Sequence, residues 1–112
     1  RIFPAGSFKI LDKQEYKFPT DPLFDDFDEP TLPLHFKTLR LPFTKEIGSL
    51  TERKGCLRLV GNESITSWNK QSLVARRIQH FHMAAITEME FSPETLQQMA
   101  GLTVMYDTDN FF

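Results

Sequence analysis

The sequence has little cysteine, little excess charge and no long apolar run, and each shortage excludes a class of protein. One cysteine among 112 residues forms neither an internal disulfide nor a cysteine-rich zinc site. The 13 basic and 15 acidic residues leave a net charge of −2, without the concentrated basic surface that nucleic-acid binding requires. No apolar segment approaches the roughly 20 residues that span a bilayer. We therefore expect a soluble protein without a nucleic-acid or membrane partner. A single cysteine fits cytoplasmic, periplasmic and secreted locations equally.

Proline is nearly absent after residue 42, because six of the seven prolines lie within the first 42 residues. Proline fixes φ and removes a donor from a sheet ladder, so the first part of the chain should contain little continuous sheet. We interpret residues 1–22 as an extended linker that contacts a neighbouring domain through four aromatic side chains, because freely swinging linkers are rarely this aromatic. These side chains are Phe3, Phe8, Tyr16 and Phe18.

The apolar residues of the remaining chain recur with a period of two, which is typical of β-strands. The longest such segment, residues 80–91, predicts a half-buried strand of twelve residues, and residues 94–99 offer at most one helical turn. Strands separated by turns at this spacing favour an antiparallel sandwich. The predicted strands are residues 23–28, 36–41, 56–60, 80–91 and 99–106.

Three polar clusters are candidates for metal binding, and each has a simpler interpretation. Asp25, Asp26 and Asp28 offer carboxylate oxygens for a structural calcium ion, but no glycine-punctuated ligand spacing accompanies them, and a solvated strand end explains them as well. The segment 107–110 begins like a calcium loop but lacks the glycine and the distant glutamate, so a turn is favoured. His80 and His82 share one strand face without an evident third zinc ligand. No other cofactor is expected.

The candidates for catalysis and sugar binding are few. Cys56 has no nucleophile motif around it, and Glu88 and Glu90 lie on one strand, whereas glycosidases draw their two carboxylates from facing elements. We therefore assign no catalytic residue. Trp68 and Tyr106 offer aromatic faces on which a sugar can stack, although a lone tryptophan in a loop is more often structural.

Several motifs, in order along the chain, are similar to one known family. Residues 49–61, SLTERKGCLRLVG, resemble the signature SLTERPGYLRLYG of the C-terminal domain of family 43 glycoside hydrolases of the β-xylosidase type. Two departures are Lys54, where the family has a turn proline, and Cys56, where it often has an aromatic or polar residue. The other matching segments are DDF at 25–27, LRLP at 39–42, QSLVARR at 71–77, FSPE at 91–94 and QQMAGL at 97–102.

The resemblance implies a fold and a role. Family members hydrolyse xylo-oligosaccharides or arabinose side chains with inversion, using two Asp and one Glu of an N-terminal five-bladed β-propeller. Their C-terminal domain is a concanavalin-like β-sandwich (jelly roll) about twice as long as residues 23–112, and its later half contributes a loop to the substrate pocket. We therefore predict that residues 1–22 are the linker from that propeller and that residues 23–112 are the first half of the sandwich.

These motifs predict an accessory role without catalysis. The expected partners are the propeller, the remaining half of the sandwich and the xylo-oligosaccharide substrate of the parent enzyme. The start at Arg1 and the end on Phe111 and Phe112 suggest an excerpt of a longer chain. Open sheet edges would then favour self-association. The alternative interpretation is a carbohydrate-binding module that holds xylan on an aromatic surface.

Overall fold

Four short strands form two antiparallel pairs in the computed structural model, which describes residues 16–112. The strands are β1 (Phe36–Thr38), β2 (Gly48–Ser49), β3 (Arg58–Leu59) and β4 (Val74–Arg76). β1 pairs with β4, and β2 pairs with β3. The described residues contain no helix, in agreement with the all-β prediction.

The β1–β4 pair follows the period-two pattern of its residues. In the register, Lys37 lies opposite Ala75, and both are exposed, while the flanking residues of each strand are half-buried. β1 ends just before Arg40, whose φ of +64° is a left-handed conformation that extended strands do not adopt. The predicted strand 36–41 is therefore confirmed only in its first half.

The most buried apolar side chains of the described range, Ile47 and Leu50, flank β2 of the β2–β3 pair. At Gly48 the strands approach so closely that a Cβ atom would lie 2.3 Å from the carbonyl oxygen of Arg58. The chain returns to β3 through a turn in which Gly55 adopts a φ of +74°, which glycine tolerates without a steric cost. β3 lies within the strand predicted at 56–60.

The last ten residues form a hairpin. Met105 and Phe111 make an antiparallel bridge, and Val104 and Phe112 exchange two backbone hydrogen bonds of 3.0 and 2.9 Å. Asp107 accepts hydrogen bonds from the backbone N–H groups of Asp109 and Asn110, at 2.9 and 2.8 Å, which closes the turn. The turn predicted at 107–110 is confirmed, whereas the predicted strand 99–106 pairs only near its end.

Two predicted strands are absent from the described structure. No backbone hydrogen bond joins residues 80–94 to another residue of the range 16–112, so the apolar alternation there has no partner strand to complete a ladder. At 23–28 the Asp25 side chain accepts a hydrogen bond from Phe27 N–H at 2.9 Å, and Phe27 has a φ of +54°. This local turn replaces the extended conformation that the sequence predicted.

The linker prediction falls mostly outside the described residues. Phe3 and Phe8 lie there, while Tyr16 and Phe18 are exposed and contact each other edge to face, with ring centroids 4.9 Å apart. Within residues 16–112, no helix is long and apolar enough to cross a membrane.

Candidate functional site

The two aromatic residues predicted to contact sugar line the same cleft. It lies between β1, β4 and the C-terminal hairpin, with a volume of about 410 Å³. Trp68 lines it together with Met105, Tyr106, Asp107 and Thr108 of the hairpin. Most of the lining surface is apolar. The remaining lining residues are Leu39, Leu73 and Ala75, with Lys37, Thr38 and Arg40.

Trp68 is held in place by a neighbouring cation. The guanidinium carbon of Arg40 lies 5.0 Å from the ring centroid of Trp68, a cation–π contact. Arg40 Nη1 also donates to the Ser67 carbonyl at 3.0 Å and to Gln71 Oε1 at 3.3 Å. The ring nevertheless remains 73% exposed.

Buried Gln71 fixes the loop that carries Trp68. Only 3% of Gln71 is exposed, and its Nε2 atom donates to the carbonyls of Ile65 and Ser67. Since a buried amide is costly unless it is hydrogen-bonded, these bonds favour one conformation of the 64–68 loop. The loop therefore presents Trp68 in a defined position.

The hairpin wall of the cleft contains an ionised carboxylate. The Asn110 side chain donates to Asp107 at 2.8 and 3.0 Å, and this contact, followed by the Asp109 N–H, lowers the pKa of Asp107 below its ordinary value. Asp107 is therefore anionic at neutral pH, and its charge is already engaged within the turn. Its role in the structure is to hold the hairpin in shape.

The three aspartates proposed as calcium ligands have partners within the chain. Asp25 Oδ2 lies 3.3 Å from His35 Nε2, Asp26 accepts from Asp28 N–H at 3.4 Å, and Asp28 Oδ2 is 3.9 Å from Lys54 Nζ. In residues 16–112, no three His, Cys, Asp or Glu side chains are grouped so that they could hold a metal ion. This geometry gives the calcium interpretation no support.

The remaining candidates for metal binding and catalysis do not form a site either. His80, His82 and Glu88 lie exposed on the unpaired segment, and Glu90 accepts two hydrogen bonds from Arg53, at 2.9 and 2.8 Å. This contact raises the pKa of Arg53 and ties the turn before β3 to the unpaired segment. Cys56 is half-buried. None of these arrangements places a nucleophile beside a base.

Sequence reasoning missed two residues of the site, Arg40 and Gln71. Both lie in segments already noted for their family resemblance, but neither residue type by itself indicates that it supports an aromatic side chain. The hydrogen-bond partners of Arg40 are 27 and 31 residues away along the chain, and only the fold brings them beside it. Gln71 bonds carbonyls six and four residues away, but its residue type does not show that its side chain is buried there.

Comparison with known proteins identifies the family. The model of the β-xylosidase C-terminal concanavalin A-like domain matches residues 24–112. The chain belongs to this family. The match confirms the resemblance drawn from the motifs and the concanavalin-like, all-β fold.

Several members of the family show how the chain relates to whole enzymes. A β-xylosidase of Bacillus subtilis (strain 168) is 51% identical over 82% of the chain and 17% of its own length. A putative β-xylosidase of Escherichia coli (strain K12) is 54% identical over 78% of the chain and 16% of its own. The solved xylan β-1,4-xylosidase of Bacillus halodurans C-125 superposes with a TM-score of 0.76 at 45% identity, over 89% of the chain and 19% of its own. The chain thus spans less than a fifth of each of these relatives.

Proposed function

We propose that the chain is an accessory, non-catalytic portion of a family 43 β-xylosidase-type enzyme, and that it supports and shapes the substrate pocket of a catalytic domain. The observation that carries this proposal is the family match over residues 24–112, combined with relatives named for xylosidase activity of which the chain is only a small part. Hydrolysis of xylo-oligosaccharides or arabinose side chains would be performed by a β-propeller that carries the catalytic Asp and Glu residues. Residues 1–22 would link that domain to the sandwich.

An exposed apolar strip supports docking against a neighbouring domain. This N-terminal strip, residues 16–24, exposes Tyr16, Phe18, Leu23 and Phe24. It is anchored to the end of β4, because Gln79 donates to Asp21 at 3.0 Å and Arg76 donates to the Pro22 carbonyl. A ridge of large apolar side chains on an anchored segment is typical of a protein interface.

The unpaired segment supports completion of the sandwich by further strands. Residues 80–94 form no backbone–backbone hydrogen bond in the described range, and Phe81 and Ile86 are almost fully exposed. We propose that the second half of the sandwich pairs with this segment in the parent enzyme. Where that half is absent, the open edge would pair with another copy of the chain.

A segment exchange tests the accessory role. Residues 24–112 would replace the matching segment of the Bacillus halodurans xylosidase, and a second variant would lack the segment. We expect the chimera to release nitrophenol from nitrophenyl β-xyloside at a rate within about tenfold of the parent, because the family fold and 45% of the residues are shared. The deletion variant should release nitrophenol at least 100-fold more slowly than the parent, because its substrate pocket loses support. Small misplacements of groups in an active site have costs of this size.

Two results would contradict the proposal. Full activity of the deletion variant would show that the segment supports nothing in the pocket. Release of nitrophenol by the purified chain, at a rate proportional to its concentration, would show that the chain is catalytic by itself. Circular dichroism of the chimera establishes that it is folded before its activity is interpreted.

A further inference from the structure

We propose that the cleft between Trp68 and the C-terminal hairpin is a binding site for a neutral pyranose oligosaccharide, with the open face of Trp68 as its stacking platform. This site goes beyond the accessory role proposed above, since it would hold saccharide on the accessory domain itself. The choice of a xylose oligomer as the ligand to be tested rests on that proposed function.

The stacking platform is preformed. The Arg40 guanidinium lies 5.0 Å from the indole centroid, while buried Gln71 and the Ser67 carbonyl hold Arg40 and the loop in place. A ring that is fixed before binding loses little conformational entropy when a ligand stacks on it. Trp68 is 73% exposed, so most of its surface is open to a ligand.

Two of the three charged residues that line the cleft are engaged inside the protein, Arg40 by Trp68, Ser67 and Gln71, and Asp107 by Asn110 and the turn N–H groups. A ligand that paired with Arg40 or Asp107 would have to compete with these contacts. A neutral polyhydroxylated ligand avoids this competition. The third charged residue, Lys37, is exposed, and its ammonium group can donate a hydrogen bond to a hydroxyl group.

The size and lining of the cleft suit a saccharide. A volume of about 410 Å³ falls in the range of small-molecule sites. Apolar Leu39, Leu73 and Ala75 in the lining offer surface for the C–H face of a pyranose ring, and Lys37 and Thr38 offer polar groups for its hydroxyls. An aromatic platform beside a mixed apolar and polar lining favours a saccharide over a charged metabolite.

The single tryptophan makes the test direct. Trp68 is the only tryptophan of the chain, so its emission reports this cleft alone. The full chain is titrated with xylotetraose, with cellotetraose as a second pyranose oligomer and mannitol as an acyclic polyol control. We expect a saturable shift of the emission with either oligosaccharide and no saturable change with mannitol. Calorimetry of the same titrations measures the affinity independently of fluorescence.

Two substitutions locate the site. Trp68→Ala should weaken xylotetraose binding about tenfold or more in the calorimetric titration, because it removes the stacking surface. Phe24→Ala is the matched control, since Phe24 is an exposed aromatic side chain outside the cleft, and it should leave the affinity unchanged. Circular dichroism establishes that both variants keep the fold of the parent chain.

Other results would overturn the proposal. If neither the tryptophan emission nor the calorimetric heat changes up to about 10 mM xylotetraose, the chain has no site of even weak affinity for it. Binding that survives Trp68→Ala would place the saccharide elsewhere on the chain. The segment exchange measures hydrolysis and this titration measures binding, so the two proposals fail separately.

Discussion

Gly48 occupies a position on β2 where a side chain has no room. A Cβ atom there would lie 2.3 Å from the Arg58 carbonyl oxygen of the paired strand and 3.1 Å from the Phe43 ring. We expect Gly48→Ala to lower the free energy of unfolding by about 1–3 kcal/mol, because the strands or the ring must shift to admit a methyl group. Urea unfolding followed by circular dichroism measures the change.

Gly61 is the matched control for this substitution. No atom of the described residues lies within 4 Å of a Cβ built at Gly61, and its φ lies outside the left-handed region. Gly61→Ala should therefore change the free energy of unfolding by no more than about 0.5 kcal/mol. Equal destabilisation by the two substitutions would show that the close approach at Gly48 does not limit the packing of β2 on β3.

The aromatic residues of the cleft could be predicted from the sequence, whereas the residues that support them could not. Trp68 and Tyr106 could be chosen from the sequence because the ability of an aromatic ring to stack on a ligand depends on the residue type alone. The support that Arg40 gives Trp68 depends on contacts across about 30 residues of sequence, which no local pattern encodes. Gln71 bonds carbonyls only four and six residues away, but its residue type does not show that the fold buries its side chain there. Neither supporting residue could therefore be predicted.

At the scale of elements, the C-terminal hairpin depends on the charge of Asp107. Because hydrogen bonds from Asn110 and Asp109 lower the folded pKa of Asp107, ionisation of this carboxyl stabilises the fold at all pH values above its unfolded pKa, about 3.9. This contribution is lost as the pH falls through the lower folded pKa. We therefore expect the melting temperature of the parent chain to exceed that of Asp107→Asn at pH 6 and the difference to shrink as the pH falls below about 3.9 and through the folded pKa.

Thermal melts at a series of pH values measure this effect. Asp109→Asn is the control, since its backbone N–H, and not its side chain, contributes to the hydrogen bonds of the turn. It should not reproduce the pH-dependent difference. A melting-temperature difference between parent and Asp107→Asn that is the same at pH 6 and pH 3 would contradict the role assigned to the carboxylate.

The strand and turn predictions are confirmed where the described chain contains a hydrogen-bonding partner for the segment, and they are wrong where it does not. The turn at 107–110 and the strand around Arg58 and Leu59 were predicted, because the turn residues and a pairing segment are both present in the chain. The segment 80–91 has the strongest alternation of all, yet it forms no ladder within the described range. Periodicity reports which face a strand would bury, whereas a strand also requires a neighbour that supplies hydrogen bonds.

β4 illustrates the opposite case. Its three residues, Val74–Arg76, are too few to show a period, and the sequence offered only the family resemblance of the surrounding motif. The strand forms because β1 lies beside it in an antiparallel register that pairs Phe36 with Arg76 and Thr38 with Val74. Tertiary pairing here created an element that local propensity did not indicate.

At the scale of the whole molecule, the described residues bury few apolar side chains for a self-contained domain. Within residues 16–112, only Ile47 and Leu50 are buried apolar side chains. Phe81, Leu96 and Phe112 are almost fully exposed. Since a domain normally encloses a contiguous apolar core, this exposure supports the proposal that further strands and a neighbouring domain cover the chain.

Hydrogen exchange tests whether the further strands pair with residues 80–94. In the chain alone, the amides of residues 80–94 should exchange rapidly, because they have no backbone partner in the described range, while the Val60 amide, bonded to the Ile47 carbonyl at 2.9 Å, should exchange more slowly. In the chimera with the Bacillus halodurans xylosidase, we expect the amides of 80–94 to slow roughly 100-fold or more, since each tenfold step corresponds to about 1.4 kcal/mol of local stability. Val60 is the internal control and should change far less, because its partner is already present. If residues 80–94 exchange equally fast in a folded, active chimera, the partner strands do not pair with this segment, and the exposed face of the chain must be covered by some other means.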